Sequence, residues 1–151
     1  MNYWLMKSEP DEFSIDDLQR VGTEPWTGIR NYQARNYMRD SMQIGDQILF
    51  YHSSCKVPAV VGIAEVASAP YADFSAFNPE STYFDPKSSP DNPRWQLIDI
   101  RFVSRLPTPV TLEQIKACPD LSQMALVNRS RLSIQPVTEP QWQQILRMAG
   151  V

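Results

Sequence analysis

Two apolar runs of β type sit at the middle of the chain, Gln47-Ile-Leu-Phe-Tyr-His and Ala59-Val-Val-Gly-Ile-Ala-Glu-Val, separated only by the polar turn 53–58. Branched and aromatic residues in such short runs fit a pleated, buried surface. A third run, Trp95-Gln-Leu-Ile-Asp-Ile-Arg-Phe-Val, lies far downstream, and shorter ones stand near the two ends, at Tyr3–Met6 and Arg131–Val137. Strands so dispersed must pair non-locally around an apolar middle. The expectation is an α+β fold: a curved β-sheet or small β-barrel flanked by helices. Gly62, inside the strongest run, predicts a bulge or a close backbone approach.

The helices announce themselves by their caps. Ser14 precedes a short segment with Asp16 and Asp17 in its first turn, Arg20 near its end and Gly22 as a stop. Asn31 caps a segment reaching Ser41, with Ala34, Tyr37 and Met38 apolar and Arg35 and Arg39 on one face. Thr111–Ala117 follows the same logic, with a helical turn at Leu121–Leu126, and Glu139–Ala149 reads as a final amphipathic helix. Trp142, Ile145, Leu146 and Met148 point the last helix inward. Pro25-Trp-Thr-Gly reads as a turn, and Leu106-Pro-Thr-Pro as the end of the third strand. Residues 69–94 form a long loop rich in proline. Its aromatics, among them Tyr71, Tyr83 and Phe84, argue for function rather than disorder.

A chain of 151 residues suits one domain spanning 1–151. At that size folding buries roughly 68–70% of the unfolded surface, so no covalent staple is needed. No apolar run approaches the ~18 residues of a membrane span, and no export signal opens the chain. Cys55 and Cys118 lie far apart with no metal-ligand spacing, which predicts neither a disulfide framework nor a metal or other cofactor. A monomeric cytoplasmic protein is expected. The net charge of −3 argues against coating duplex DNA by bulk attraction. The charge is uneven, however: acids crowd residues 1–24, while Arg30, Arg35, Arg39 and Lys56 dominate 26–60.

Catalytic patterns are missing. His52 is the only histidine, and no nucleophile elbow, phosphate loop or zinc helix occurs. A non-enzymatic binding module is the reading. Its alternatives are a small nucleotide-processing hydrolase using His52, and a protein-interaction domain. His52 either bonds to backbone at its strand end or contacts ligand. Trp4 and Trp142 fall on core faces. Trp26, set between Pro and Thr-Gly and followed by Arg30 and Asn31, suits a base-stacking platform, a contact worth roughly 1–3 kcal/mol per base.

Tyr3-Trp-Leu-Met-Lys-Ser-Glu-Pro, Trp26-Thr-Gly-Ile-Arg-Asn-Tyr-Gln-Ala-Arg-Asn, Ile44-Gly-Asp, Phe50-Tyr-His-Ser, Val61-Gly-Ile-Ala-Glu-Val and Arg129-Ser-Arg-Leu-Ser-Ile-Gln-Pro-Val stand in this order. Together they resemble the EVE domain family. The resemblance implies a PUA-like fold, kinship with the YTH domains that hold N6-methyladenine in an aromatic cage, and a partner that is modified nucleic acid, DNA or RNA. It implies a base pocket containing Lys7, Ser8, Glu9, Trp26 and Thr27. Asn31, His52 and Ser53 are further pocket candidates, with a second cage aromatic among Tyr83, Phe84 and Tyr71. Arg30, Arg35, Arg129 and Arg131 are the candidate phosphate holders. Glu9 replaces a base-reading asparagine of one YTH subgroup. An ionised carboxylate only accepts hydrogen bonds, so it favours a modified cytosine, then a modified guanine, over adenine.

Overall fold

The computed structural model of the chain describes residues 1–129 and 131–151. Six strands make one sheet: β1 (Tyr3–Ser8), β2 (Thr23–Pro25), β3 (Gln47–His52), β4 (Ala59–Val66), β7 (Asp99–Thr111) and β8 (Ile134–Val137), in the order β2-β7-β4-β3-β1-β8. β1 and β3 run parallel; the other neighbours are antiparallel. Two further strands pair with each other, β5 (Tyr71–Ala72) from the long loop and β6 (Gln96–Leu97) from the start of the third apolar run. The helices are α1 (Ile15–Val21), α2 (Tyr32–Asn36), α3 (Leu112–Lys116), α4 (Ala125–Asn128) and α5 (Glu139–Met148). The curved sheet flanked by helices is the expected α+β, PUA-like architecture.

The central strands are apolar on both faces because both faces are covered. Trp4, Met6, Ile48 and Phe50 point into one core with Ile15, Leu18, Ala34 and Met38. The intervening Leu5, Leu49 and Tyr51 point into the other, with Ile115, Leu126, Trp142 and Ile145. Burying one such side chain contributes about 1.5–3 kcal/mol, so a one-residue slip of β1 or β3 would exchange two filled cores. Gly62 meets both expectations. The β3–β4 and β4–β7 registers shift beside it, and a Cβ there would stand 2.6 Å from Ile15 Cδ1 and 2.9 Å from the Ser104 carbonyl.

Three local expectations are corrected. The third strand does not stop at Leu106: β7 runs on to Thr111. Residues 106–109 bulge out between the Gly62–Arg105 and Val60–Val110 pairs, so Pro107 and Pro109 sit where no ladder hydrogen bond is asked of them. The segment Asn31–Ser41 is not one α-helix. After α2 it widens into a π-helical turn at Tyr37–Ser41. The turn read at Pro25-Trp-Thr-Gly starts one residue later, since Pro25 ends β2 (Thr23–Pro25) at the sheet edge. The capping readings hold. Ser14 and Thr111 each close a capping box, and the Asn31 side chain accepts from Ala34 N–H; the structure adds a third box at Thr138, which the sequence reading did not name.

Candidate functional site

β1 ends in Lys7-Ser8 and β2 ends just before Trp26, and between these strand ends lies a cavity of about 350 Å³. Trp26 N–H donates to the Ile98 carbonyl at 3.0 Å, and Thr27 N–H turns back to the Pro25 carbonyl. This tight turn fixes the indole in the wall. Trp26 is only 8% exposed, with Phe13 and Phe50 packed edge-on against it, centroids 6.0 and 5.9 Å away. It is thus part of the core and part of the cavity at once.

The opposite rim comes from the long loop. Tyr83 reaches over Gly28, which has φ +86° and no room for a side chain: a Cβ there would lie 2.6 Å from the Tyr83 ring. Asp73 fastens the two loops together. This carboxylate is 1% exposed and accepts from Gly28 N–H (2.9 Å), Arg30 Nη1 (3.1 Å), Ser75 N–H (2.9 Å) and Ser75 Oγ (2.6 Å). A buried carboxylate so fully bonded holds geometry without an orphaned charge. Arg30 completes the joint, donating through Nη2 to the Tyr83 carbonyl at 2.6 Å and lying 5.5 Å from the Tyr83 ring and 5.1 Å from Trp95.

Of the residues expected at the base pocket, Lys7, Ser8, Glu9, Trp26, Thr27, Ser53 and Tyr83 line this cavity together. Asn31, His52 and Phe84 are not among the cavity's lining residues. Asn31 is spent on its helix cap. His52 Nε2 accepts from Ile15 N–H at 3.1 Å, so the imidazole anchors α1, and burial holds its pKa below the ordinary value. Phe84 is 40% exposed outside the cavity.

The arginines are also redistributed. Arg30 is half-buried and bonded to Asp73 and the Tyr83 carbonyl, as described. Arg35 Nη1 donates to the Arg94 carbonyl at 2.8 Å, and its guanidinium covers the Tyr32 ring. Arg129 and Arg131 line a separate cavity with Asn31 and Gln33, where Arg129 Nη2 donates to Gln33 Oε1.

Sequence reading missed Glu12, Phe13, Glu24 and Ser133 in the lining, and Asp73 behind it. Glu12 and Phe13 had a usable signal. They follow Glu9 in one turn, with both N–H groups donating to the Glu9 carbonyl. Lys7 N–H donates to the Ser133 carbonyl, a link only the β1–β8 pairing creates. The cavity is acidic at its mouth. Burial, aided by Asp17 and Asp99, raises the Glu24 pKa, and burial lowers that of Lys7. Ser8 Oγ donates to the Phe13 carbonyl at 2.5 Å and ties the acidic turn to the strand.

A curled sheet with helices on both faces and a cavity walled by a buried tryptophan at the strand ends defines a PUA-like binding domain. A model of the EVE domain family matches residues 2–148, and the chain belongs to that family. Thymocyte nuclear protein 1 of Mus musculus is 39% identical over 166 residues, covering 97% of this chain and 73% of that protein. The crystal structure of human THYN1 protein in complex with 5-methylcytosine-containing DNA superposes with a TM-score of 0.95 at 35% identity, covering 100% of this chain and 99% of that one. A YTH domain of Zygosaccharomyces rouxii shares the fold at a TM-score of 0.53 and 14% identity. Among the described residues, no helix is long and apolar enough to cross a membrane.

Proposed function

We propose that this protein captures a modified base of a nucleic acid in the cavity beside Trp26, a modified cytosine first, and catalyses no reaction on it. The observation that carries the reading is the cavity itself. It has an aromatic wall at Trp26, an aromatic rim at Tyr83, and Glu9, Glu12 and Glu24 as acceptors. Its volume of about 350 Å³ lies in the lower part of the range of small-ligand sites. Cytosine presents an N4 amine that a carboxylate accepts, and the human relative was crystallised with 5-methylcytosine-containing DNA. To enter, the base must leave its stack, which costs a few kcal/mol and least in a single strand.

Lys7, Ser8, Thr27 and Ser53 would check the polar edge of the base, and Arg129 and Arg131 would meet the backbone. Arg30 acts by holding Tyr83 in place. The hydrolase alternative needs a free imidazole, whereas His52 is committed as acceptor to α1. One domain over residues 1–151, acting as a monomer in the cytoplasm, completes the reading. The unpaired thiols Cys55 and Cys118 suit a reducing compartment.

The test is an affinity series for nucleosides and short oligonucleotides carrying modified cytosine, modified guanine or N6-methyladenine, with wild type and Glu9→Gln. The expected order is cytosine, guanine, adenine, with the preference weakened in the variant. Tightest binding of N6-methyladenine, or an unchanged ranking in Glu9→Gln, would remove Glu9 as the reader.

A further inference from the structure

A further concave site is lined by Tyr32, Arg35, Arg39, Lys87, Asn92 and Arg94. Four cations converge there from two separate elements, α2 with its π-helical extension and the loop before β6. Their local countercharge is incomplete. Asp40 pairs with Arg39 at 2.8 Å, and Asp85 meets Arg94 at 3.5 Å while also accepting from Trp95 Nε1 at 2.8 Å. Among the described residues Arg35 and Lys87 form no ion pair. Such a group is built to receive an anion from outside. Guanidinium forks match phosphate oxygens in pairs, and Lys87 adds a point charge.

The site is joined to the base cavity by a continuous stack. Tyr83, on the cavity rim, lies 5.5 Å from Arg30. Arg30 lies 5.1 Å from Trp95, whose ring stacks on Tyr32 at 4.8 Å, and Arg35 lies 4.7 Å from Tyr32. Burial, with the neighbouring charges of Arg39 and Arg94, holds the Arg35 pKa below its ordinary value against the opposing effect of Tyr32 and Asp40.

We propose that this basic cavity is a phosphate-binding site that holds the nucleic-acid backbone flanking the captured base. The proposal rests on the nucleic-acid reading given above. It explains how an acidic protein of net charge −3 engages a polyanion: positive charge is concentrated at a few positions instead of spread over a face.

The experiment uses the full chain and a labelled single-stranded oligonucleotide with one central 5-methylcytosine, titrated across salt concentrations. The free 5-methylcytosine nucleoside and inorganic phosphate are titrated in parallel. Wild type is expected to show a slope of log K against log salt of roughly −2 to −4, as for three or four phosphate contacts. In the double variant Lys87→Ala/Arg94→Ala the slope should shrink by about 1 for each lost contact. Oligonucleotide affinity at low salt should fall about tenfold or more, with nucleoside affinity unchanged. Arg147→Ala, which removes a cation from α5, should leave the slope as in wild type.

An unchanged slope in the double variant overturns the site. So does an equal loss in Arg147→Ala, which would mean a diffuse charge effect. Inorganic phosphate binding as tightly as the oligonucleotide, and lost in the double variant, overturns the backbone assignment in favour of a free phosphate. Failure of the base reading looks different. Wild type would then bind oligonucleotide with the variant-sensitive slope yet ignore the nucleoside, which supports the phosphate site. Loss of both activities in wild type overturns both.

Discussion

Gly28 and Gly22 offer a controlled comparison. Both have positive φ, +86° and +83°, so alanine is strained at either position. That strain is about 1–2 kcal/mol for an L-residue. In a domain of this size each kcal/mol lowers Tm by roughly 2–4 °C. The surroundings differ. A Cβ at Gly22 meets nothing within 4 Å, whereas at Gly28 it enters the Tyr83 ring at 2.6 to 2.9 Å. The ring is 36% exposed, so it can swing outward rather than unfold the chain. Gly22→Ala and Gly28→Ala should therefore lose similar stability in thermal or urea melts. Only Gly28→Ala should lose the Tyr83 rim, and with it a stacking contact of about 1–3 kcal/mol. That is roughly 5- to 150-fold in affinity for a modified nucleoside, read by calorimetry. Wild-type affinity in Gly28→Ala, or equal losses of affinity in both variants, would refute the argument that Tyr83 closes the cavity.

Three further outcomes follow from the same geometry. Trp26→Ala should destabilise the fold by about 3–5 kcal/mol, because the indole belongs to the core as well as the cavity; Trp26→Phe should fold and still bind the base more weakly, as checked by melts and nucleoside titration. The raised Glu24 pKa means its protonated form is favoured in the fold, so its contribution is fully present below the ordinary glutamate pKa and is lost as pH rises through the raised value; Glu24→Gln should raise Tm at pH 7 and converge with wild type in acid. The His52 pKa is lowered, so its contribution is present above the ordinary histidine value and is lost as pH falls through the lowered one; His52→Gln should flatten the stability profile on the acid side of pH 6.5 while leaving nucleoside affinity unchanged.

Local chemistry was legible in the sequence. Ser14, Asn31 and Thr111 cap helices because a side-chain oxygen satisfies an amide only three residues away, which short-range sequence suffices to specify. The strands at 47–52 and 59–66 were likewise clear, since burial on both faces leaves an uninterrupted apolar run. The family motifs marked Lys7-Ser8-Glu9 and Trp26-Thr27 as cavity residues before any pairing was known. What only the tertiary structure decided was partnership across the chain. Pro107 and Pro109 end a strand by local rules, yet β7 runs through them because its own residues 106–109 bulge out of the ladder with β4. Tyr83, rather than Phe84 or Tyr71, lines the cavity because Asp73 and Arg30 pin its loop over Gly28. Of the two readings open for His52, the fold selects the backbone bond, to an amide 37 residues earlier in the chain. Hydrogen bonds and ring contacts of this range carry no periodicity or spacing. They exist only once the sheet has brought distant segments together.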